Sequence, residues 1–143
     1  QQIQRVTDHF YFLIFVLVVI SNLFFTSEKT NTSLSLPTQI QTLEYIKIEA
    51  SPFFNPDKTL LTIRCSLESY QYPDTLDLDI KSSYLLEADQ GPLLNPASAK
   101  IIEDTKYKKT WDLIFPAFAQ KPSNIKFIVF AFDEVVFEWE LAQ

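Results

Sequence analysis

The chain has 143 residues, with 12 basic and 18 acidic side chains, a formal net charge of −6, one glycine and one histidine. The acidic balance argues against nucleic-acid binding, because such affinity depends on neutralising phosphates with Lys and Arg. A single glycine excludes the P-loop and the dinucleotide-binding loop, which need several glycines beside phosphate. His9 and Cys65 are alone in their types, so the C-terminal region has no histidine-based catalytic site and the chain has no internal disulfide. We predict no catalytic site and no cofactor.

Residues 10–25, FYFLIFVLVVISNLFF, carry no charge. As a helix they span roughly 24 Å, slightly less than the hydrocarbon core of about 30 Å. A signal peptide would fit the length of the run, but no small-x-small cleavage pattern follows it. A buried core helix is the other alternative, since a run that is apolar on every face suits a protein core as well as a membrane. We therefore predict an N-terminal tail at 1–9 and a retained transmembrane helix at 10–26. The aromatic residues at its two ends, which we expect to anchor it, are Phe10, Tyr11, Phe12, Phe24 and Phe25.

Residues 27–38 are polar and rich in Ser and Thr, which predicts a linker. Arg5 before the span and Lys29 after it mark the orientation only weakly under the positive-inside rule. We expect the short tail inside and the larger domain on the extracytoplasmic side, in a periplasm or a lumen. The remaining stretch, 39–143, is long enough for one domain.

Short β-type runs separated by Pro, Asn and Asp follow the linker. The predicted strands are 43–50, 59–67, 76–80, 84–94 with a turn at Asp89–Gly91, 110–115, 125–132 and 135–141. Alternation places Ile46 and Ile48 inward, and it does the same for Val135, Phe137, Trp139 and Leu141. Cys65 is expected to be a small buried hydrophobe. The pattern predicts an all-β chain, a single antiparallel Ig-like β-sandwich preceded by the transmembrane helix.

The segment 125–132, IKFIVFAF, departs from alternation because it is apolar on both faces. One explanation is that the 95–109 loop or the 117–123 loop covers its second face. The other is an exposed aromatic strip that contacts a partner or the membrane surface. The predicted partner-binding residues are Ile128, Phe130, Phe132, Tyr84 and Trp111.

Two groups of charged residues are candidate binding sites. Asp77 and Asp79 are candidate calcium ligands, because a strand at 76–80 would place both carboxylates on one face and calcium prefers oxygen ligands. A solvated strand face explains the same pattern. Three lysines with one tyrosine form a small basic patch that could touch anionic headgroups or an acidic partner, but the pattern is more typical of a solvated loop. These residues are Lys106, Tyr107, Lys108 and Lys109.

Spaced motifs run through residues 59–141. They comprise an Asp-rich run (LDLDI), a D-x-G turn (DQG), a Leu-x-Phe-Pro strand end (LIFP) and a final F-E-W-x-L strand (FEWEL). In these motifs the chain resembles a family of exported bacterial β-sandwich domains without an assigned activity. The resemblance implies a β-sandwich and export. Histidines that often occur in that family are replaced here by Glu68-Ser69-Tyr70 and Thr105-Lys106-Tyr107, so any metal-binding role of those histidines does not carry over.

Two functional hypotheses follow. The first is a non-catalytic, single-span accessory or stabilising subunit that binds larger integral-membrane subunits through its span and its aromatic side chains. The alternative is a membrane-tethered carrier domain for a small ligand or a metal ion, using Asp77 and Asp79 or a cavity between the sheets. Calorimetry with calcium, copper and lipids separates the two. An enzyme ranks last, because no pair of carboxylates with a pocket can be identified in the sequence.

Overall fold

The computed structural model describes residues 32–142, of which those from Ser33 onward belong to one compact unit. The predicted tail at 1–9, the predicted transmembrane helix at 10–26 and most of the predicted linker therefore lie outside the described residues. Within the described part of the chain, no helix has the length and apolar character needed to cross a membrane.

Ten strands and two short helical turns make up the described region. The strands are β1 (Leu34–Ser35), β2 (Gln39–Leu43), β3 (Ile46–Phe54), β4 (Leu61–Glu68), β5 (Tyr84–Ala88), β6 (Leu93–Leu94), β7 (Ser98–Asp104), β8 (Lys108–Ile114), β9 (Asn124–Phe130) and β10 (Glu134–Glu140). A 3₁₀ turn at Pro73–Leu76 and a single α-helical turn, α1, at Ile80–Ser83 connect β4 to β5.

The strands form two antiparallel sheets. The six-stranded sheet has the order β1-β3-β4-β8-β7, with β2 also paired to β3, and the four-stranded sheet has the order β10-β9-β5-β6. All of these pairs are antiparallel. Side chains of both sheets belong to one hydrophobic core, so the sheets pack face to face. The prediction of an all-β, antiparallel, sandwich-like fold is confirmed.

Aromatic rings fill the centre of this core. The ring of Phe127 lies 6.1 Å from the rings of both Tyr84 and Phe137 and 6.2 Å from that of Phe115, and Phe137 stacks on Trp139 at 6.0 Å. We call these five residues the core stack. Burial of each such ring contributes about 1.5–3 kcal/mol relative to an exposed ring. The inward positions predicted for β3 and β10, and the burial of Cys65, are confirmed.

The strand predicted at 76–80 is wrong. Pro73 opens the 3₁₀ turn that ends at Leu76, because its fixed φ suits the start of a helical turn. Asp79 then precedes α1, and its carboxylate accepts a hydrogen bond of 2.7 Å from the hydroxyl of Ser82. The alternating leucines suit this connection equally well: Leu76 is buried, and Leu78 packs on the core from the loop.

Strand β7 lies in a segment predicted to be a loop. It is an edge strand paired only to β8, and most of its side chains are exposed, so no apolar alternation marks it in the sequence. An irregularity in register between Ile101 and Glu103 further breaks the period. Likewise, β3 continues through Phe54 into the interval between the predicted strands 43–50 and 59–67, and β1 lies in the stretch predicted as a linker.

The turn between β5 and β6 is confirmed where it was predicted. Asp89 and Gln90 have φ values of 51° and 59°, as the central residues of a type I′ turn require. The amide of Gly91 donates to the carbonyl of Ala88 at 2.8 Å. A Cβ on Gly91 would lie 3.0 Å from that same carbonyl oxygen, which explains why glycine suits this position.

Candidate interaction surface

The predicted partner-binding residues do not lie on one surface. Tyr84 is 1% exposed and belongs to the core stack, so it is not available to a partner. Trp111 pairs with Cys65 across β8 and β4 and therefore points to the same inner face, where it packs partly buried against the core. Both side chains were assigned from residue type alone, whereas strand register turns them toward the interior.

Ile128 and Phe130 lie on the outer face of the four-stranded sheet. Ile128 pairs with Leu85 on one side and Val136 on the other, and this row of apolar neighbours buries it outside the core cluster. Phe130 is 40% exposed. Residues 98–104 form β7 in the other sheet, so they do not cover this row.

A second group of aromatic side chains occupies the loops at one end of the sandwich, which we call the aromatic end. Its members are Tyr45, Tyr70, Tyr72, Tyr107 and Phe132. They come from the β2–β3 turn, the loop after β4, the β7–β8 turn and the β9–β10 turn. Phe132 is 61% exposed and Tyr70 is 72% exposed. Of these five residues, only Phe132 was among the predicted partner-binding residues.

The tyrosines of the aromatic end form two ring pairs. Tyr45 and Tyr72 have ring centroids 5.4 Å apart and planes tilted by 58°, and Tyr70 stacks on Tyr107 at 5.4 Å. The amide of Ser69 donates to the carbonyl of Tyr107 at 3.0 Å, which ties two of the loops together. Sequence analysis missed these pairs, because only the sheet topology brings together residues so far apart in the chain.

Tyr45, Tyr72 and Phe132 line an apolar groove of about 440 Å³, together with Glu44 and Thr75. Local hydrogen bonds fix its tyrosine loop. The hydroxyl of Thr75 donates to the carbonyl of Tyr72 at 2.6 Å, and the Tyr72 amide donates to the hydroxyl of Ser69 at 3.1 Å. Glu44 has a φ of 52° in the β2–β3 turn, a left-handed conformation that is uncommon outside glycine and asparagine. These bonds hold the tyrosine loop in the conformation that lines the groove.

The predicted basic patch is largely neutralised by ion pairs. The ammonium of Lys109 lies 2.8 Å from Asp77 and 2.9 Å from Asp104, and these hydrogen bonds raise the pKa of Lys109. Lys108 lies 3.7 Å from Glu103. Lys106 instead lies over the ring of Tyr107, with its Nζ 5.2 Å from the ring centroid.

The two calcium candidates have separate partners. The carboxylate of Asp77 binds Lys109, and that of Asp79 accepts the Ser82 hydroxyl. Because residues 76–80 form no strand, the shared face that motivated the calcium assignment does not exist. Across residues 32–142, no three His, Cys, Asp or Glu side chains are grouped as metal ligands would be.

An acidic groove of about 470 Å³ lies on the outer face of the four-stranded sheet. Its charged groups are Glu87, Asp89, Lys126, Glu138 and Glu140. Two of these acids have structural roles. The Asp89 carboxylate accepts the amides of Ser123 and Asn124, each at 2.9 Å, and Glu138 accepts the side-chain amide of Asn124 at 3.2 Å. The Asp89 bonds connect the β5–β6 turn to the beginning of β9, and the Glu138 bond connects β10 to the same residue, Asn124.

Comparison of the chain with protein-family models, curated proteins and solved structures finds no match. The chemistry of its surfaces must therefore be inferred from the side chains themselves. The aromatic end presents aromatic rings, and Glu44 adds a carboxylate to its groove. Such groups bind apolar or cationic partners.

Proposed function

We propose that the chain is a non-catalytic, single-span membrane protein that serves as an accessory or stabilising subunit of a larger membrane complex. Its Ig-like sandwich lies on the extracytoplasmic side and contacts the extramembrane part of larger integral-membrane subunits. The aromatic end is the observation that carries the proposal. Buried aromatic anchors dominate the energetics of protein interfaces, and soluble surfaces seldom leave large apolar patches without a partner.

The strand order supports the Ig-like assignment. The order β3-β4-β8-β7 corresponds to A-B-E-D of immunoglobulin domains, and β6-β5-β9-β10 corresponds to C′-C-F-G. In this correspondence Tyr70 and Tyr72 lie in the B–C loop, and Phe132 lies in the F–G loop. Those two loops belong to the binding end of antibody variable domains. The aromatic end thus uses the part of an Ig-like sandwich that is suited to recognition.

The predicted span is consistent with this role. Residues 10–25 contain no Gly and no Ala, so the run offers no small-residue face for close pairing of two copies. We therefore assign selective recognition of a partner to the aromatic side chains of the sandwich, while the bulky helix retains the chain in the membrane and packs against the larger subunits.

Purification from native membranes tests the proposal. The tagged full-length chain, extracted in mild detergent, is expected to co-purify stoichiometrically with a fixed set of larger integral-membrane subunits. Phe132→Ser should reduce this yield severalfold, because the substitution removes an exposed aromatic anchor. Leu93→Ser is the matched control, since Leu93 is similarly exposed, at 56%, on β6 outside the aromatic end. Recovery of the chain as a free monomer would contradict the proposal.

A further inference from the structure

The groove of the aromatic end also indicates which chemical group the partner presents, an inference that rests on the proposed function. We propose that this groove binds an arginine side chain in an extramembrane segment of the partner protein. The rings of Tyr45, Tyr72 and Phe132 provide apolar faces for the guanidinium, and the Glu44 carboxylate provides the compensating charge.

The lining has the composition of a cation site. A cation over an aromatic face is attracted by the negative charge above the ring. Tyr45 and Tyr72 both line the groove, with centroids 5.4 Å apart and ring planes tilted by 58°, so a guest in the groove meets two rings in different planes. A guanidinium suits this arrangement better than an ammonium, because its planar surface stacks on a ring while its N–H groups bond a carboxylate in pairs.

Charge around the groove favours the same occupant. Glu44 lines it, Asp133 follows Phe132 in the chain, and Asp74 precedes Thr75. The neighbouring tyrosine pair already holds a cation, since Lys106 lies over the ring of Tyr107. Among residues 32–142, no lysine or arginine takes the corresponding place on the rings of the groove. The rings and the carboxylate are therefore available to a cation from outside the chain.

Size and position favour a protein segment over a lipid headgroup. A volume of about 440 Å³ exceeds what one quaternary ammonium fills and admits a long side chain with its flanking backbone. The groove lies at the end of the sandwich opposite Leu34, because Leu34 pairs with Phe54 whereas Tyr45 precedes the start of β3. Nine strand residues separate the two ends, a distance of roughly 30 Å. In the sequence, the end of the sandwich that holds Leu34 is the one next to the predicted span, because only eight positions separate Leu34 from residue 26.

Peptide binding to the full chain in a maltoside detergent tests the inference. Three fluorescent nonapeptides share one Gly/Ser backbone and carry two arginines, two citrullines or two glutamates. Anisotropy should show the arginine peptide binding at least about tenfold more tightly than the citrulline peptide, because citrulline keeps the shape and loses the charge. Glu44→Gln and Tyr72→Ala should each weaken arginine-peptide binding about fivefold or more.

Tyr70→Ala is the matched control, because Tyr70 is an exposed tyrosine of the aromatic end that does not line the groove. It should leave the affinity within about twofold, and circular dichroism should show every variant folded. Equal affinity for arginine and citrulline peptides overturns the proposal, as does an unchanged affinity in Glu44→Gln. Absence of arginine-peptide binding up to about 1 mM overturns it too.

Two further outcomes separate this inference from its foundation. Glycerophosphocholine and arginine amide are compared as competitors of the arginine peptide. If glycerophosphocholine displaces the peptide at the lower concentration, the groove is a headgroup site and the inference is overturned. If the partner subunits co-purify equally with the wild-type chain and with Glu44→Gln, the inference is overturned. The proposed function is unaffected by that result. Recovery of the chain from membranes as a free monomer contradicts the proposed function. Selective binding of the arginine peptide would still establish the groove as an arginine site.

Discussion

The core stack and the aromatic end are made of the same kinds of residue in opposite environments. Phe127 lies between the rings of Tyr84 and Phe137, and all three are buried. Tyr70 and Phe132, by contrast, lie mostly in water. Aromatic residues on inward strand positions hold the two sheets together, while those on loops at the strand ends remain available to a partner. Position in the topology therefore decides what an aromatic ring does in this chain.

Residue choice follows the same division. The stack contains three phenylalanines, whereas four of the five residues at the aromatic end are tyrosines. A tyrosine tolerates exposure because its hydroxyl stays hydrated while its ring remains available for contact. Phe132 lacks this hydroxyl and is nevertheless mostly exposed. Among the residues of the aromatic end, Phe132 is therefore the one whose burial by a partner stabilises the complex most.

Removing the central ring of the core stack should have the largest effect. Phe127→Ala is expected to lower the free energy of unfolding by about 3–5 kcal/mol, because it leaves a cavity bordered by three other rings. Urea denaturation followed by tryptophan fluorescence measures this loss. Phe127→Leu, which keeps most of the volume, should lose less than half as much. A loss below about 1 kcal/mol for Phe127→Ala would show that the stack does not hold the sheets together.

The free energy of unfolding should fall at alkaline pH because of two buried titratable groups, Cys65 and Tyr84. Burial raises the pKa of Cys65, and burial together with the neighbouring Cys65 raises the pKa of Tyr84. The native state then keeps protons that the unfolded state releases, so stability is complete below about pH 8.5 and falls as the pH rises. The slope approaches about 1.4 kcal/mol per pH unit for each group, with Tyr84 contributing above about pH 10.

Substitutions assign this slope to its sources. Denaturation between about pH 7.5 and about pH 11 should show a flatter dependence above about pH 8.5 for Cys65→Ala than for the unsubstituted chain. Tyr84→Phe should flatten only the part above about pH 10, because an unfolded tyrosine begins to ionise there. If Cys65→Ala leaves the slope between pH 8.5 and about 9.5 unchanged, the Cys65 thiol is not the group responsible.

Trp139 lies at one end of the core stack, where the stack meets the N-terminal strands. Its indole N–H donates to the carbonyl of Pro37 at 2.7 Å. Trp139→Phe keeps an aromatic ring and deletes that donor, so unfolding free energy should fall by about 1–2 kcal/mol. Gln39→Ala is the control, because its side chain donates to the carbonyl of Glu138 at 2.8 Å in an exposed position. It should lose about 0.5 kcal/mol or less, and equal losses would remove the special role of Trp139.

The sequence predicted the regions in which local pattern and tertiary environment agree. Alternation identified β10 and the inward face of β3, and the Asp89–Gly91 turn followed from turn chemistry. It failed at residues 76–80, where alternating leucines also fit a turn, and at β7, whose edge position removes the apolar alternation. The ring pairs of the aromatic end could not be predicted, because they depend on which loops the sheet order brings together.

The smallest effect on stability is expected at the aromatic end. Phe132→Ser should change the free energy of unfolding by no more than about 0.5 kcal/mol, because the ring is mostly hydrated before and after unfolding. The same urea denaturation measures it beside Phe127→Ala, so both variants share one reference. A loss above about 1.5 kcal/mol would mean that Phe132 packs as a core residue and that the two groups of aromatics do not differ. A small loss combined with reduced recovery of partner subunits would mean that this ring acts in binding and adds little to folding.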